Sequence, residues 1–338
     1  MSGAPTVRIA VVGAGSAGAQ HAAAVVNNED AELTVVADSA PSSAEALSAR
    51  MGGRVWADSI DRLAASGMVD AVVVATPDQF HAEHAIAFLS RGIPVLCEKP
   101  MAPTLDDCRA MVQAADESGA SLMIGHSVRF TPVFESVRRL VADGVLGDVY
   151  YVGTDYQHDY SPMRGTWRFD PALARSLFLG GGCHAVDLAR SVLGEVVEVS
   201  AMATHLGLPD LPTDDTIIAS YATAAGQLSR VFVSGSSKRP YRIGLEVYGT
   251  RGSVVATNVD DTVRLYREDQ RALGEQWASI RVEDRQDHPF ARQMDAFIEA
   301  VRAGERMPID GRAGMATVAA SLAAIDAART GQRVRIPR

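Results

Sequence analysis

The stretch that most limits what this chain can fold into is Gly13-Ala14-Gly15-Ser16-Ala17-Gly18, because of what flanks it. Before it, Val7-Arg8-Ile9-Ala10-Val11-Val12 reads as a buried parallel strand, and after it an Ala-rich segment through Val26 reads as a helix. A G-x-G-x-x-G turn between strand and helix is a setting in which each glycine has a task. Gly13 permits the tight turn, Gly15 lets a pyrophosphate approach the backbone, and Gly18 lets helix and strand pack closely, with Ser16 and Ala17 at the helix N-terminus facing the anion. A second strand over residues 32–37 ends in Asp38, at the distance where an acid accepts ribose 2′ and 3′ hydroxyls. Asp38 would repel a 2′-phosphate, and Ser39-Ala40 supplies no arginine to hold one, so the pattern favours NAD over NADP. The competing reading makes Asp38 the cap of a helix over residues 44–50, a task for which Ser42 and Ser43 are expected to serve.

Alternation continues with a short strand near Val55-Trp56, a helix from Ser59, an apolar run at 71–75 ending in Thr76-Pro77, and a helix over 80–90. The run Ile93-Pro94-Val95-Leu96-Cys97 then gives way to Glu98-Lys99-Pro100, followed by a helix over 105–118 and a last strand over 122–125. Strand and helix repeated through short connections predict an α/β domain with a doubly wound parallel sheet. Its strand ends gather Gly13, Asp38, Thr76, Lys99 and His126 on one edge, where such sheets bind ligands. Lys99 is the candidate proton carrier there, since burial or a neighbouring cation lowers a lysine pKa toward the working pH. Thr76 and Pro77 read as a wall of the nucleotide site. His81 and His84, one helical turn apart, read as surface or rim residues, and His81, Glu98 and His126 complete the expected cofactor contacts.

After Arg129-Phe130-Thr131-Pro132 and a helix through Val141 the periodicity changes. Seven segments, at 149–156, 195–203, 216–221, 227–233, 242–248, 253–256 and 262–267, read as strands with tight turns at Ala225-Gly226 and Thr250-Arg251-Gly252. Two helices, over 289–303 and 313–328, precede a short final strand at 334–336. The expectation is a Rossmann domain over residues 1–126 and an α+β domain over 127–338 that binds substrate and carries a large, mostly antiparallel open sheet. Such a sheet with one face uncovered predicts a homo-oligomer, a dimer or tetramer. Within this half, Gly180-Gly181-Gly182-Cys183-His184-Ala185-Val186-Asp187 opens an apolar helix, with His184 and Asp187 on one face so that the acid is placed to orient the imidazole. Tyr156, His158, Trp167, Arg168 and Asp170 concentrate aromatic and hydrogen-bonding groups suited to a hydroxylated ligand.

The net charge of −9 argues against a nucleic-acid or anionic-membrane partner. The start of the first strand at Val7 leaves no room for a secretion signal, and no apolar run reaches a membrane span, so the expectation is a cytoplasmic protein. Three cysteines, Cys97, Cys108 and Cys183, suit a reducing compartment. A zinc site built from Cys97, Cys183 and His184 would lack the paired ligand spacings of zinc proteins, and no metal is expected.

Taken together, the Gly13 loop with its trailing His21, Thr76-Pro77, Glu98-Lys99-Pro100, Arg129-Phe130-x-Pro132 and Gly182-x-His184-x-x-Asp187 resemble the glucose-fructose oxidoreductase and inositol dehydrogenase (Gfo/Idh/MocA) family over essentially the whole chain. The resemblance implies an NAD-dependent oxidoreductase acting on a carbinol of a sugar, inositol or related polyol, with Lys99 and His184 beside the reacting carbon as both catalytic and substrate-binding groups. Many relatives carry an Asp four residues before the histidine; here that place is Gly180. Two alternatives share the site: cleavage or isomerisation of a glycoside with the cofactor recycled in each turnover, and a non-catalytic NAD-binding regulator.

Overall fold

Six strands of the first half build one parallel sheet in a computed structural model that describes residues 6–269, 276–283 and 288–337. They are β1 (Val7–Val12), β2 (Ala31–Ala37), β3 (Arg54–Trp56), β4 (Ala71–Val74), β5 (Val95–Cys97) and β6 (Leu122–Ile124), ordered β3-β2-β1-β4-β5-β6. Every neighbouring pair is parallel. The order reverses between β1 and β4, which is the switch point at which a doubly wound sheet opens a ligand site. β4 and β5 are buried along their whole length, as their unbroken apolar runs require when helices cover both faces.

The helices of this half are α1 (Ser16–Val26), α2 (Pro41–Met51), α3 (Ile60–Ala64), α4 (His81–Leu89) and α5 (Leu105–Ser118). α5 starts where Thr104 accepts a hydrogen bond from the Asp107 amide and ends at Gly119 in the left-handed region, a cap at each end. α2 departs from expectation: it begins at Pro41, Ser42 and Ser43 lie inside its first turn, and its N-cap Ala40 has no side-chain cap. Pro41 sets the start because its fixed φ suits the first helical position and its missing N–H is not needed there.

The second half holds α6 (Pro132–Ala142), α7 (Leu177–Gly180) and α8 (Cys183–Leu193) with a nine-stranded sheet. Its strands are β7 (Val149–Gln157), β8 (Val196–Thr204), β9 (Thr216–Thr223), β10 (Leu228–Ser234), β11 (Arg242–Gly249), β12 (Gly252–Thr257), β13 (Thr262–Arg267), β14 (Ala278–Arg281) and β15 (Val334–Arg335). The order is β14-β13-β12-β11-β7-β10-β9-β8-β15, antiparallel throughout except where β10 runs parallel to β7. β14 was not expected: four residues at the sheet edge are too short to show a period. One face carries the core of Val152, Val231, Val233, Leu245 and Val247 under α8. On the other, Met202 pairs with the exposed Ile218, and Ile218 with Phe232.

α9 (Phe290–Ala303) and α10 (Gly311–Thr330) return after the sheet. The chain divides into two units, residues 1–127 with 289–318 and residues 128–288 with 319–338. The contiguous division at 126 and 127 is therefore corrected: α9 packs on α1. Phe290 meets His21 edge-on with ring centroids 4.8 Å apart, Asn28 donates to Asp295 at 2.7 Å, and Arg302 pairs with Asp30. The segment after α9 adds an edge to β6, where the Ile124 amide donates to the Ile309 carbonyl at 2.9 Å.

Candidate active site

At the first strand end, Gly13 has φ +103° and its amide donates to the Ala37 carbonyl at 2.8 Å. A Cβ there would lie 2.5 Å from the Ala75 carbonyl oxygen, and one on Gly18 only 1.8 Å from that of Gly13, so no side chain fits at either place. A Cβ on Gly15 would meet nothing within 4 Å; the loop closes on itself everywhere except where an anion would approach, beside exposed Ser16. Asp38 at the end of β2 accepts from the Ala14 amide at 2.7 Å and from the Ala40 amide at 2.8 Å. One carboxylate thus shapes both the glycine loop and the entry to α2, and each of its oxygens has a second lone pair for a ribose hydroxyl. Ser39 beside it is exposed.

The ends of β4, β5 and β6 are knitted together. The Glu98 amide donates to the Val74 carbonyl at 2.8 Å and the Gly125 amide to the Cys97 carbonyl at 2.7 Å. Glu98 is 7% exposed; one carboxylate oxygen lies 2.9 Å from His21 Nε2 and the other accepts from the Lys99 amide at 3.1 Å. Burial works to raise this carboxyl, but the hydrogen bond and charge of His21, with Lys99 adding to them, hold it down at about 2. Lys99, half-buried, is thus set at the β5 end by a backbone gripped on both sides, and the Lys99–Pro100 peptide is cis.

His81 is not the surface or rim residue expected from its helix position. It is buried, with Nδ1 2.9 Å from the Pro100 carbonyl and Nε2 2.8 Å from the Thr76 carbonyl. Burial lowers its pKa while both carbonyls favour the cation, and the ring lies between the Thr76-Pro77 turn and the Lys99-Pro100 turn, donating to one carbonyl when neutral and to both when protonated. His84 Nδ1 lies 3.2 Å from Thr76 Oγ1, and Pro77 is exposed. His126, the last of this set, is buried just beyond β6.

In the second unit α8 is pinned to β7 by Thr154 Oγ1, which donates to the Ala185 carbonyl at 3.0 Å. The expected orienting group, Asp187, is gripped by Arg129, whose Nε and Nη2 each donate to one carboxylate oxygen at 2.6 Å. That fork joins the Arg129-Phe130-x-Pro132 turn to α8, whose second residue is His184, and sets its position. Before it, a Cβ on Gly181 would lie 2.7 Å from Tyr156 Cζ and 2.8 Å from the Tyr160 hydroxyl; only glycine lets the helix start close on these rings.

The rings form a continuous cluster. His184 lies 5.2 Å from His288, which stacks on Tyr241 at 5.4 Å; Tyr241 meets His158 at 5.1 Å, and His158 meets Tyr160 at 5.1 Å, all as centroid distances. The Tyr156 hydroxyl is 3.2 Å from that of Tyr160. Burial and the nearby Arg168 charge lower the His158 pKa, and burial raises that of Tyr156. Tyr156, His158 and His184 therefore lie in one ring cluster. Tyr160, Tyr241 and His288 join the same cluster without having been singled out in the sequence: Tyr160 adjoins the chosen stretch, while Tyr241 precedes β11 and His288 precedes α9, with no motif to mark them. The Arg168 guanidinium carbon lies 4.4 Å from the Trp167 ring centroid and 5.9 Å from that of Tyr160. Asp170 accepts from the Ala172 amide at 2.9 Å through one carboxylate oxygen.

Comparison with known proteins follows the same division. The model of the oxidoreductase family with an NAD-binding Rossmann fold (GFO_IDH_MocA) matches residues 7–126, and that of the GFO/IDH/MocA C-terminal domain matches residues 134–255. The chain is 30% identical to inositol 2-dehydrogenase of Rhizobium meliloti, over 98% of this chain and 99% of that protein. It is 29% identical to D-xylose 1-dehydrogenase (NADP(+)) 2 of Haloferax volcanii, over 96% of this chain and 95% of that one. Among solved structures, an oxidoreductase domain protein from Kribbella flavida superposes with a TM-score of 0.91 at 25% identity, covering 99% of this chain and 100% of that chain.

Proposed function

The chain belongs to the Gfo/Idh/MocA oxidoreductase family, and on that premise we propose that it transfers a hydride between NAD and a carbinol carbon of a sugar, inositol or related polyol. The observation that carries this reading is the placement of Lys99. It stands at the carboxyl end of β5, on the sheet edge that holds the Gly13 loop and Asp38, on a backbone fixed by the Glu98–His21 pair and by His81. Doubly wound sheets bind dinucleotides along that edge, which supports Lys99 as the amine that meets the alcohol.

The glycine loop and Asp38 suit a dinucleotide: open space at Gly15 for the pyrophosphate, and a carboxylate for the ribose hydroxyls. Asp38 with no arginine after it supports NAD over NADP. Bound NAD supplies the hydride acceptor. The protein handles the hydroxyl proton: Lys99 hydrogen-bonds the alcohol oxygen or takes its proton, and His184 holds the same oxygen. Tyr156, His158, Trp167, Arg168 and Asp170 engage the remaining polar groups of the substrate. The apolar strip of Met202, Ile218 and Phe232 on the open sheet face supports a homo-oligomer formed through that face.

Following reduced-cofactor absorbance across a panel of inositols, sugars and sugar acids tests the reaction class; no change with any of them under either cofactor removes it. Lys99→Ala and His184→Ala are each expected to lose about 10²–10⁴-fold in turnover, with NAD affinity within about twofold of the parent. A Lys99→Ala protein that turns over normally ends the proton assignment.

A further inference from the structure

A charge left over in the second unit says what kind of polyol the site takes. Residues 158–176 carry several charged groups, and most are spoken for within the protein. Arg164 pairs with Asp210, Asp159 accepts from Ser161 and from Lys238 at 2.9 Å, and Asp170 accepts from the Ala172 amide. Arg168 differs. Its side chain is held by rings, 4.4 Å over Trp167 and 5.9 Å over Tyr160, and among the described residues it makes no hydrogen bond or ion pair. A half-buried guanidinium gives up part of its hydration, and stacking on an indole replaces only some of what is lost. Its five N–H donors keep a planar fork for a partner that the described residues do not supply.

Two observations place that fork at the substrate cluster rather than on an idle surface. Tyr160 touches both His158 and the glycine run ahead of His184, and the Arg168 charge is felt at His158, whose pKa it helps to lower. Arg175 stacks on the same Trp167 at 4.5 Å, and the open side of Gly180 faces its stem, where a Cβ would lie 3.6 Å from Arg175 Cγ in ordinary contact. A side chain would fit at position 180, yet the sequence puts no acid there.

We propose that the polyol acted on carries a carboxylate, and that Arg168 receives it while the Tyr156, His158 and His184 groups face its hydroxyls. The proposal rests on the hydride-transfer reading and narrows its substrate class. A carboxylate matches the fork with two parallel hydrogen bonds.

The test compares myo-inositol and D-glucose with D-glucuronate and D-gluconate, and with glucose 6-phosphate as an anion of different shape, in the parent, Arg168→Gln and Arg168→Lys. Binding in the presence of NADH is measured by calorimetry beside turnover. The expected result is a kcat/KM at least about tenfold higher for a sugar acid than for its neutral counterpart. Arg168→Gln should cut the sugar-acid value by about 10- to 100-fold more than the neutral one, mostly through KM, as loss of a charge-assisted hydrogen bond predicts. Arg168→Lys should recover part of it. Neutral polyols turned over best, with Arg168→Gln lowering both classes alike, overturn the proposal while hydride transfer stands. Preference for the phosphate overturns the carboxylate assignment. If no compound is turned over, hydride transfer falls, and calorimetry still decides: sugar-acid binding lost in Arg168→Gln upholds the anion site, and its absence in the parent removes it.

Discussion

Asp38 and Glu98 are both acids at strand ends, and their surroundings give them different work. Asp38 spends one lone pair of each oxygen on a backbone amide, and on the proposed reading its charge would repel a 2′-phosphate. Asp38→Ala is expected to narrow the preference for NAD over NADP in kcat/KM, by weakening ribose contact and removing the repulsion together; an unchanged ratio would separate Asp38 from cofactor choice. Glu98 faces inward, and its carboxyl lies at about 2 in the folded protein against an ordinary 4.5. Its folded pKa is the lower one, so the stability it confers is fully present above 4.5 and is lost as pH falls toward about 2. Glu98→Gln should therefore be less stable near neutrality and lose stability less steeply across that acid window, as read by urea titration at a series of pH values. Parallel acid profiles would mean that the Glu98–His21 pair does not set acid stability.

α8 shows how an element is aimed by contacts far along the chain. Its sequence supplies an apolar stripe, but its placement depends on Thr154 of β7 and on the Arg129 fork 58 positions before Asp187. Both side chains of that pair are largely buried, so removing one takes a close opposite charge from the other where water screens little. Arg129→Met is expected to cost about 3–5 kcal/mol in unfolding free energy, and the double change Arg129→Met with Asp187→Leu to recover a large part of it. A double variant as unstable as the sum of both single changes would show that the two residues do not act as a pair.

For the whole molecule, the notable step is that the chain goes back. Having built the large sheet, it returns to the first unit with α9 and the opening turns of α10, covering α1 and extending the β6 edge. A fragment ending at residue 127 should then melt below one in which residues 289–318 are rejoined through a flexible linker, because the first leaves His21 and its neighbours without Phe290. Equal melting temperatures would show that the returning segment adds nothing to that unit.

The sequence by itself determined what depends on neighbours along the chain: the glycine loop, the strand and helix alternation, the tight turns, and the strand ends that carry Asp38, Thr76, Lys99 and His126. Each rests on a local steric or periodic rule, and the parallel sheet follows because short crossovers leave little choice. Tertiary structure alone decided what depends on distant partners. Ser42 and Ser43 looked like caps until Pro41 started the helix, and His81 looked exposed until its two nitrogens met carbonyls from different turns. Asp187 reads as a neighbour of His184 by helix spacing, and only the tertiary structure shows that Arg129 reaches it as well, from another element. Tyr241 and His288 join the ring cluster from segments with no motif, since a side chain's neighbours across a sheet are set by register and burial, which no short stretch of sequence encodes.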